Sequence, residues 1–182
     1  ISAQIDKYQQ LITVENNAVA QIGALNLQFK TQVQEWKNVL LRGHQTEDRE
    51  KYWEKFVQQH NLVQQLATDI LSLELTSSIE TQVREVRQIH ASLLTKYKTG
   101  EQAYINTSFD HKKGDASVRG IDRAPGKALE TLVEQIQKQL NDKNETLESQ
   151  ANRTQWLTIL AIFMAVIASI TFANLYMKNN VI

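Results

Sequence analysis

The sequence predicts an all-α protein, an antiparallel up-down-up-down four-helix bundle followed by a C-terminal transmembrane helix. Three observations carry that expectation. The 182 residues hold one proline and six glycines, too few breakers for a sandwich or barrel, which needs a turn about every 8 to 12 residues. Apolar residues recur at heptad spacing through most of the chain. All 20 acidic and 19 of the 20 basic residues precede Gln155, whereas the 22 residues 156–177 carry no charge.

In the first helix, Ile5, Ile12, Val19, Asn26, Val33 and Leu40 share one register, with Tyr8, Ile22, Phe29 and Trp36 in the other. Glu15 and Asn26 interrupt the stripe, as happens where a helix meets a partner over part of its length. Gly43 is expected to end this helix in a left-handed cap, and Thr46 or Asp48 to N-cap the next. The second helix carries Tyr52, Phe56, Gln59, Val63, Leu66, Ile70 and Leu73 at 4-3 steps. A Thr-Ser-Ser break at 76–78 separates it from a third helix with Ile79, Val83, Val86, His90, Leu93 and Tyr97, continuing towards Tyr104.

Periodicity fails over 107–124, which reads as the one real loop, and Pro125 then suits the first turn of a fourth helix. That helix carries Leu129, Leu132, Val133, Ile136, Leu140 and Leu147, and nothing breaks it before the apolar span. At 1.5 Å per residue the span covers about 33 Å, enough for a hydrocarbon core of about 30 Å. Trp156 and Tyr176 stand where interfacial aromatics belong. Arg153 and Lys178 flank the span and leave its orientation undecided.

The resulting domains are a bundle over 1–153, a transmembrane helix over 154–178 and the start of a cytoplasmic segment over 179–182. If the fourth helix descends to the membrane, the Gly43 turn and the 107–124 loop lie at the far end of the bundle. The first helix then begins at the membrane, so an earlier transmembrane helix is expected before Ile1.

Zero net charge gives no electrostatic footprint for nucleic acid, and zero cysteines remove disulfides, thiolate metal sites and cysteine nucleophiles. No GxSxG elbow, GxGxxG, P-loop or HExxH spacing is present. Neither an enzyme nor a cofactor is expected. His90 falls on the core stripe of the third helix without a metal-ligand partner at helical spacing, and reads as a hydrogen-bonded core histidine. His44, His60 and His111 look scattered.

The least generic stretches are 33–43 and 118–125, which the topology brings to the membrane-distal tip. Arg42, Arg119 and Arg123 can converge there, with Trp36 and Trp53 as aromatic walls, to hold a small anionic ligand through guanidinium forks. The same arginines can instead pair with Asp122 and Glu35 and close the bundle end. Both readings stand at the level of sequence.

The runs Trp-Lys-Asn-Val-Leu-Leu-Arg-Gly at 36–43, Tyr-Trp-Glu-Lys-Phe at 52–56 and Val-Arg-Gly-Ile-Asp-Arg at 118–123 resemble the extracytoplasmic sensor region of bacterial methyl-accepting chemotaxis proteins. The resemblance implies a homodimer in the bacterial inner membrane, with this bundle in the periplasm and a cytoplasmic HAMP and signalling region beyond Ile182. It also implies a mechanical task, passing a ligand-induced helix displacement through the lipid. Similar sensor modules precede diguanylate cyclase and histidine kinase outputs. A tail-anchored, SNARE-like coiled coil is the competing class, against which stand the turns that fold the chain back on itself.

Overall fold

A computed structural model describes residues 2–73 and 75–180, and their regular structure is helical throughout. The elements are α1 (Ser2–Arg42), α2 (Thr46–Leu71), α3 (Ser77–Asn106), α4 (His111–Val118) and α5 (Arg123–Asn180), with no strand among the described residues. Two compact units divide the chain, Ile1–Leu140 and Asn141–Ile182. The side chains of Ile5, Tyr8, Ile12 and Glu15 lie outside the described residues.

The first unit is built on one apolar core to which α1, α2, α3, α4 and the start of α5 all contribute. On α1 the buried positions are Ala18, Ile22, Leu25, Phe29, Gln32, Trp36, Val39 and Leu40. The register of Ile22, Phe29 and Trp36 is therefore the central one, and Val19, Asn26 and Val33 are only half-buried beside it. On α2 the core takes His60 and Ala67 and leaves Gln59 and Leu66 half-buried. A strict 4-3 count drifts around a straight helix of 3.6 residues per turn, so it names a neighbour of the residue that is covered. The α3 stripe behaves as expected, from Ile79 through His90 to Tyr104. From α5, Leu129, Leu132 and Ile136 complete the core.

Contacts between named side chains define the packing. Arg42 of α1 meets Tyr52 of α2, and Gln64 of α2 meets His90 of α3. Trp36 of α1 stands edge-on to Tyr97 of α3, with ring centroids 5.2 Å apart. Lys30 of α1 pairs with Glu130 of α5 at 3.0 Å.

The connections differ from expectation in three places. Gly43 is not left-handed, since Gly120 is the glycine with positive φ among the described residues. A glycine is needed at 43 because a Cβ there would strike the Val39 carbonyl oxygen and crowd Arg49. The N-cap of α2 is Gln45, with neither Thr46 nor Asp48 in that role and no side-chain cap bond. The stretch 107–124 is not a plain loop, because it contains α4. Asp110 caps that helix by accepting from the backbone N–H groups of Lys112 and Lys113, a local signal that periodicity cannot register in eight residues.

Glycine lets α4 come close to the rest of the unit. A Cβ on Gly114 would lie 2.7 Å from Leu40 Cδ2 and 2.9 Å from Tyr104 Cβ, and one on Gly100 would lie 2.6 Å from Val118 Cγ1. Before α4 the chain reverses through Ser108 and Phe109, with φ of 57° and 66°. Such angles are costly for a bulky residue. They are held by the Phe109 N–H donating to the Tyr104 carbonyl at 2.9 Å and by the Phe109 ring, which stands edge-on to Tyr104.

In the second unit α5 is exposed on all sides from Glu148 to Lys178. Trp156 is 71% and Phe172 72% exposed, and α5 contains a stretch of mean hydropathy 2.3, none of it buried, long and apolar enough to cross a membrane. Thr158, Ser169 and Thr171 return their hydroxyls to carbonyls one turn back, so those polar atoms are satisfied within the helix, as lipid requires.

Two glycine substitutions check this packing. Gly114→Val should destabilise the first unit by about 1 to 3 kcal/mol through overpacking. Gly23→Ala, where a Cβ would meet nothing within 4 Å, should stabilise it by about 0.5 to 1 kcal/mol. Guanidinium denaturation followed by helical circular dichroism reads both.

Candidate functional site

The expected tip residues take up separate positions. Arg42 is exposed and donates from Nη1 to the Tyr52 hydroxyl at 2.9 Å, with its guanidinium carbon 5.6 Å from the centre of the same ring. That hydrogen bond, then the nearby Tyr52 oxygen, raises the Arg42 pKa further. Lys51 and Lys55 approach the Tyr52 ring as well, at 5.6 and 5.7 Å. Three cations thus surround one aromatic ring. Arg119 turns to Asp115 on its own helical turn, donating from Nε and Nη2 at 3.3 and 3.2 Å. Arg123 is exposed and lies beside Gly120.

The pairing of these arginines with Asp122 and Glu35 is not what the structure contains. Glu35 accepts from Asn38 instead. Of the two tryptophans, Trp36 is interior, 3% exposed, its Nε1 without a hydrogen-bond partner. Trp53 is half-buried and stacks on Phe56 with centroids 5.1 Å apart.

One guanidinium at the tip escaped the reading of the sequence. Arg49 donates to the Gly43 carbonyl at 3.2 Å and lies 5.3 Å from the centre of the Phe109 ring. It joins the α1–α2 turn to the strained turn before α4. Nearby, burial raises the pKa of Glu101, and Arg49 and Lys98 oppose that shift. Nothing in the helical spacing marks Arg49, because its partners are the carbonyl of Gly43 in the preceding turn and the ring of Phe109 far along the chain.

The second polar site is buried at the centre of the unit. His90 is 1%, Gln32 1% and His60 5% exposed, and the two imidazoles stack with centroids 4.5 Å apart and planes 18° apart. Phe29 closes one side, edge-on to His90 at 5.5 Å. His90 matches its expected role as a hydrogen-bonded core histidine, whereas His60 is its stacking partner and not a scattered residue.

The direction of every hydrogen bond here follows from one carbonyl. The Arg87 carbonyl can only accept, so the Gln64 atom 3.2 Å from it is the amide nitrogen. That nitrogen also faces His90 Nδ1 at 2.7 Å, which must therefore accept. His90 then carries its proton on Nε2 and donates to Gln32 Oε1 at 2.7 Å. The remaining Gln32 amide nitrogen donates to His60 Nδ1 at 3.3 Å, leaving the His60 proton on Nε2.

Both imidazoles are thus neutral. Burial, and secondarily the charge of a protonated His60, lowers the His90 pKa to about 3. Burial lowers that of His60 too. Two stacked rings and two amides do not make a metal site, and no cluster of three or more His, Asp or Glu able to hold a metal occurs among the described residues.

Removing Gln32 tests the network. Gln32→Leu leaves the His90 Nε2–H and His60 Nδ1 without partners and should cost about 1 to 3 kcal/mol of stability. Arg42→Ala, at an exposed contact, should leave the denaturation midpoint unchanged.

Two of three comparisons return nothing: no family model matches the chain, and no solved structure matches it. Against curated proteins, the chain is 33% identical over 179 residues to the methyl-accepting chemotaxis protein CtpH of Pseudomonas aeruginosa, covering 98% of this chain. The chain spans 31% of that relative's length. Similarity at this level across nearly the whole chain marks it as a region related to a chemotaxis receptor.

Proposed function

We propose that the chain is the extracytoplasmic sensor module of a transmembrane chemoreceptor, which passes ligand-induced helix displacement through the membrane to a cytoplasmic signalling region. The observation that carries this reading is the similarity to a chemotaxis receptor over 98% of the chain, polar helices and apolar segment together. The relative is a receptor and not an enzyme, which favours a non-enzymatic role.

In this reading residues 1–153 form an antiparallel up-down-up-down bundle in the periplasm and 154–178 cross the inner membrane. The contact pairs support it. Position 32 meets 60 and 42 meets 52, so numbers fall on α2 as they rise on α1. Positions 29 and 36 meet 90 and 97, so α1 and α3 run the same way. Helix α5 is continuous from Arg123 to Asn180, which suits a transmitter of shifts of an ångström or two. Two copies would associate through their bundles as a homodimer.

The ligand in this reading is a small anion. Arg42, flanked by Lys51 and Lys55 around Tyr52, is the part of the tip best arranged to attract one. Arg119 and Arg123 lie farther along the chain, and Trp36 and Trp53 support the wall from within. Binding would shift the balance between two bundle packings by the ligand's differential affinity for them.

Two experiments test the proposal. One to four residues inserted near Gln150 in the intact receptor should change output with helical phase; an output indifferent to phase removes the transmission helix. Isothermal titration with a panel of carboxylates and inorganic phosphate should find a binder that Arg42→Ala weakens at least tenfold. Binding untouched by Arg42→Ala and Arg119→Ala would take the ligand away from the tip.

A further inference from the structure

The buried centre of the first unit has a property that the sensor reading does not use. His90 has both ring nitrogens committed, one as acceptor and one as donor, and each glutamine serves two partners at once. A proton added to His90 Nδ1 would point its N–H at the Gln64 amide nitrogen. Gln64 could rotate its oxygen into place only by giving up the Arg87 carbonyl. A proton added to His60 Nδ1 would point at the Gln32 amide nitrogen, and rotation of Gln32 would break its bond from His90. Neither amide can adapt alone. The stacked rings add a second obstacle, because a charge on one imidazole sits 4.5 Å from the other ring.

No compensating charge faces the pair. From α1 it is met by Gln32 and Phe29, from α2 by His60 and Gln64, and from α3 by His90 and the Arg87 carbonyl. To the same core α5 contributes Leu129, Leu132 and Ile136. Lys30 and Glu130 are exposed and paired to each other, Arg87 is exposed, and half-buried Glu35 accepts from Asn38.

We propose that Gln32, His60, Gln64 and His90 form a proton-operated latch across α1, α2 and α3, closed while both imidazoles are neutral and released when acid protonates one of them. The sign follows from linkage. Burial holds both pKa values below the ordinary 6.5, His90 at about 3, so a released state that exposes the rings binds protons more readily than the closed one. The latch is fully closed above pH ~6.5, and its grip weakens as the pH falls from there towards the closed-state values. The proposal takes the sensor reading as its setting, giving the bundle a second input, acidity, distinct from any ligand at the tip.

The absence of cysteine makes the test clean, because two introduced cysteines are labelled uniquely. Spin labels at Gln34→Cys on α1 and Thr95→Cys on α3, both exposed positions, would report the α1–α3 separation in the full chain in lipid nanodiscs. Histidine ring NMR on the same protein would report protonation. We expect a second distance population that grows as pH falls, by up to tenfold per unit for one proton, in step with the His60 and His90 ring signals. In His60→Gln/His90→Gln it should be lost. A native separation that stays constant while the rings protonate would overturn the latch, as would rings that stay neutral until the protein unfolds or the same shift in the double variant. Should that variant fail to fold, the native distance and ring titrations decide alone, coincident midpoints supporting the latch and separate ones overturning it. None of these readouts uses ligand or signalling output, so failure here leaves the sensor reading standing.

Discussion

The first unit depends on where its three long helices are pinned to one another. Apolar stripes of valine, leucine and isoleucine hold helices together but fix their axial register poorly, since a slide of one turn replaces one aliphatic contact with another. A buried polar group that has one set of partners does not tolerate such a slide. In this chain Gln32, His60, Gln64 and His90 supply that constraint, one chain of hydrogen bonds running from the Arg87 carbonyl on α3 through α2 and α1. The aromatic layer of Trp36, Phe56 and Tyr97 packs one step further along and inherits the register so fixed.

Away from that centre the unit relies on close approach instead of specific bonds. Gly114 lets α4 lie against Leu40 and Tyr104, Gly100 on α3 makes room for Val118 of α4, and Arg49 ties the α1–α2 turn to the turn at Phe109. The surface there is cationic around Tyr52 while the interior is aromatic. In the proposed sensor, a bound anion would add contacts of its own between Arg42 on α1 and Lys51 and Lys55 on α2, and the packed core beneath would carry the resulting shift as a displacement of whole helices.

Much of the fold was legible in the sequence because long helices write their periodicity over many residues. The α3 stripe, the membrane-length apolar segment and the helix opening around Pro125 all follow from spacing and composition. What escaped did so for identifiable reasons. Helix α4 is shorter than the window in which a period can be read, and its signal is a single capping aspartate. His60 was missed because a strict heptad count lands on Gln59, one residue away. The tip was legible in its residues and not in its pairings: Arg42 turned to Tyr52 and Arg119 to Asp115, partners that nearness along the chain supplies, whereas Arg49 found a ring sixty residues on.

In the proposed sensor, the helices of the first unit move against one another when the receptor signals. Lys30 and Glu130, 3.0 Å apart across α1 and α5, are the place to ask. With both replaced by cysteine in the intact receptor, output is followed in cells before and after the pair is bridged by a reducible bis-methanethiosulfonate reagent, which spans the gap that two long side chains leave between their Cα atoms. The bridge should freeze output at one level whatever the stimulus, with full response restored on reduction. A receptor that responds equally well with the two helices bonded together would contradict that movement.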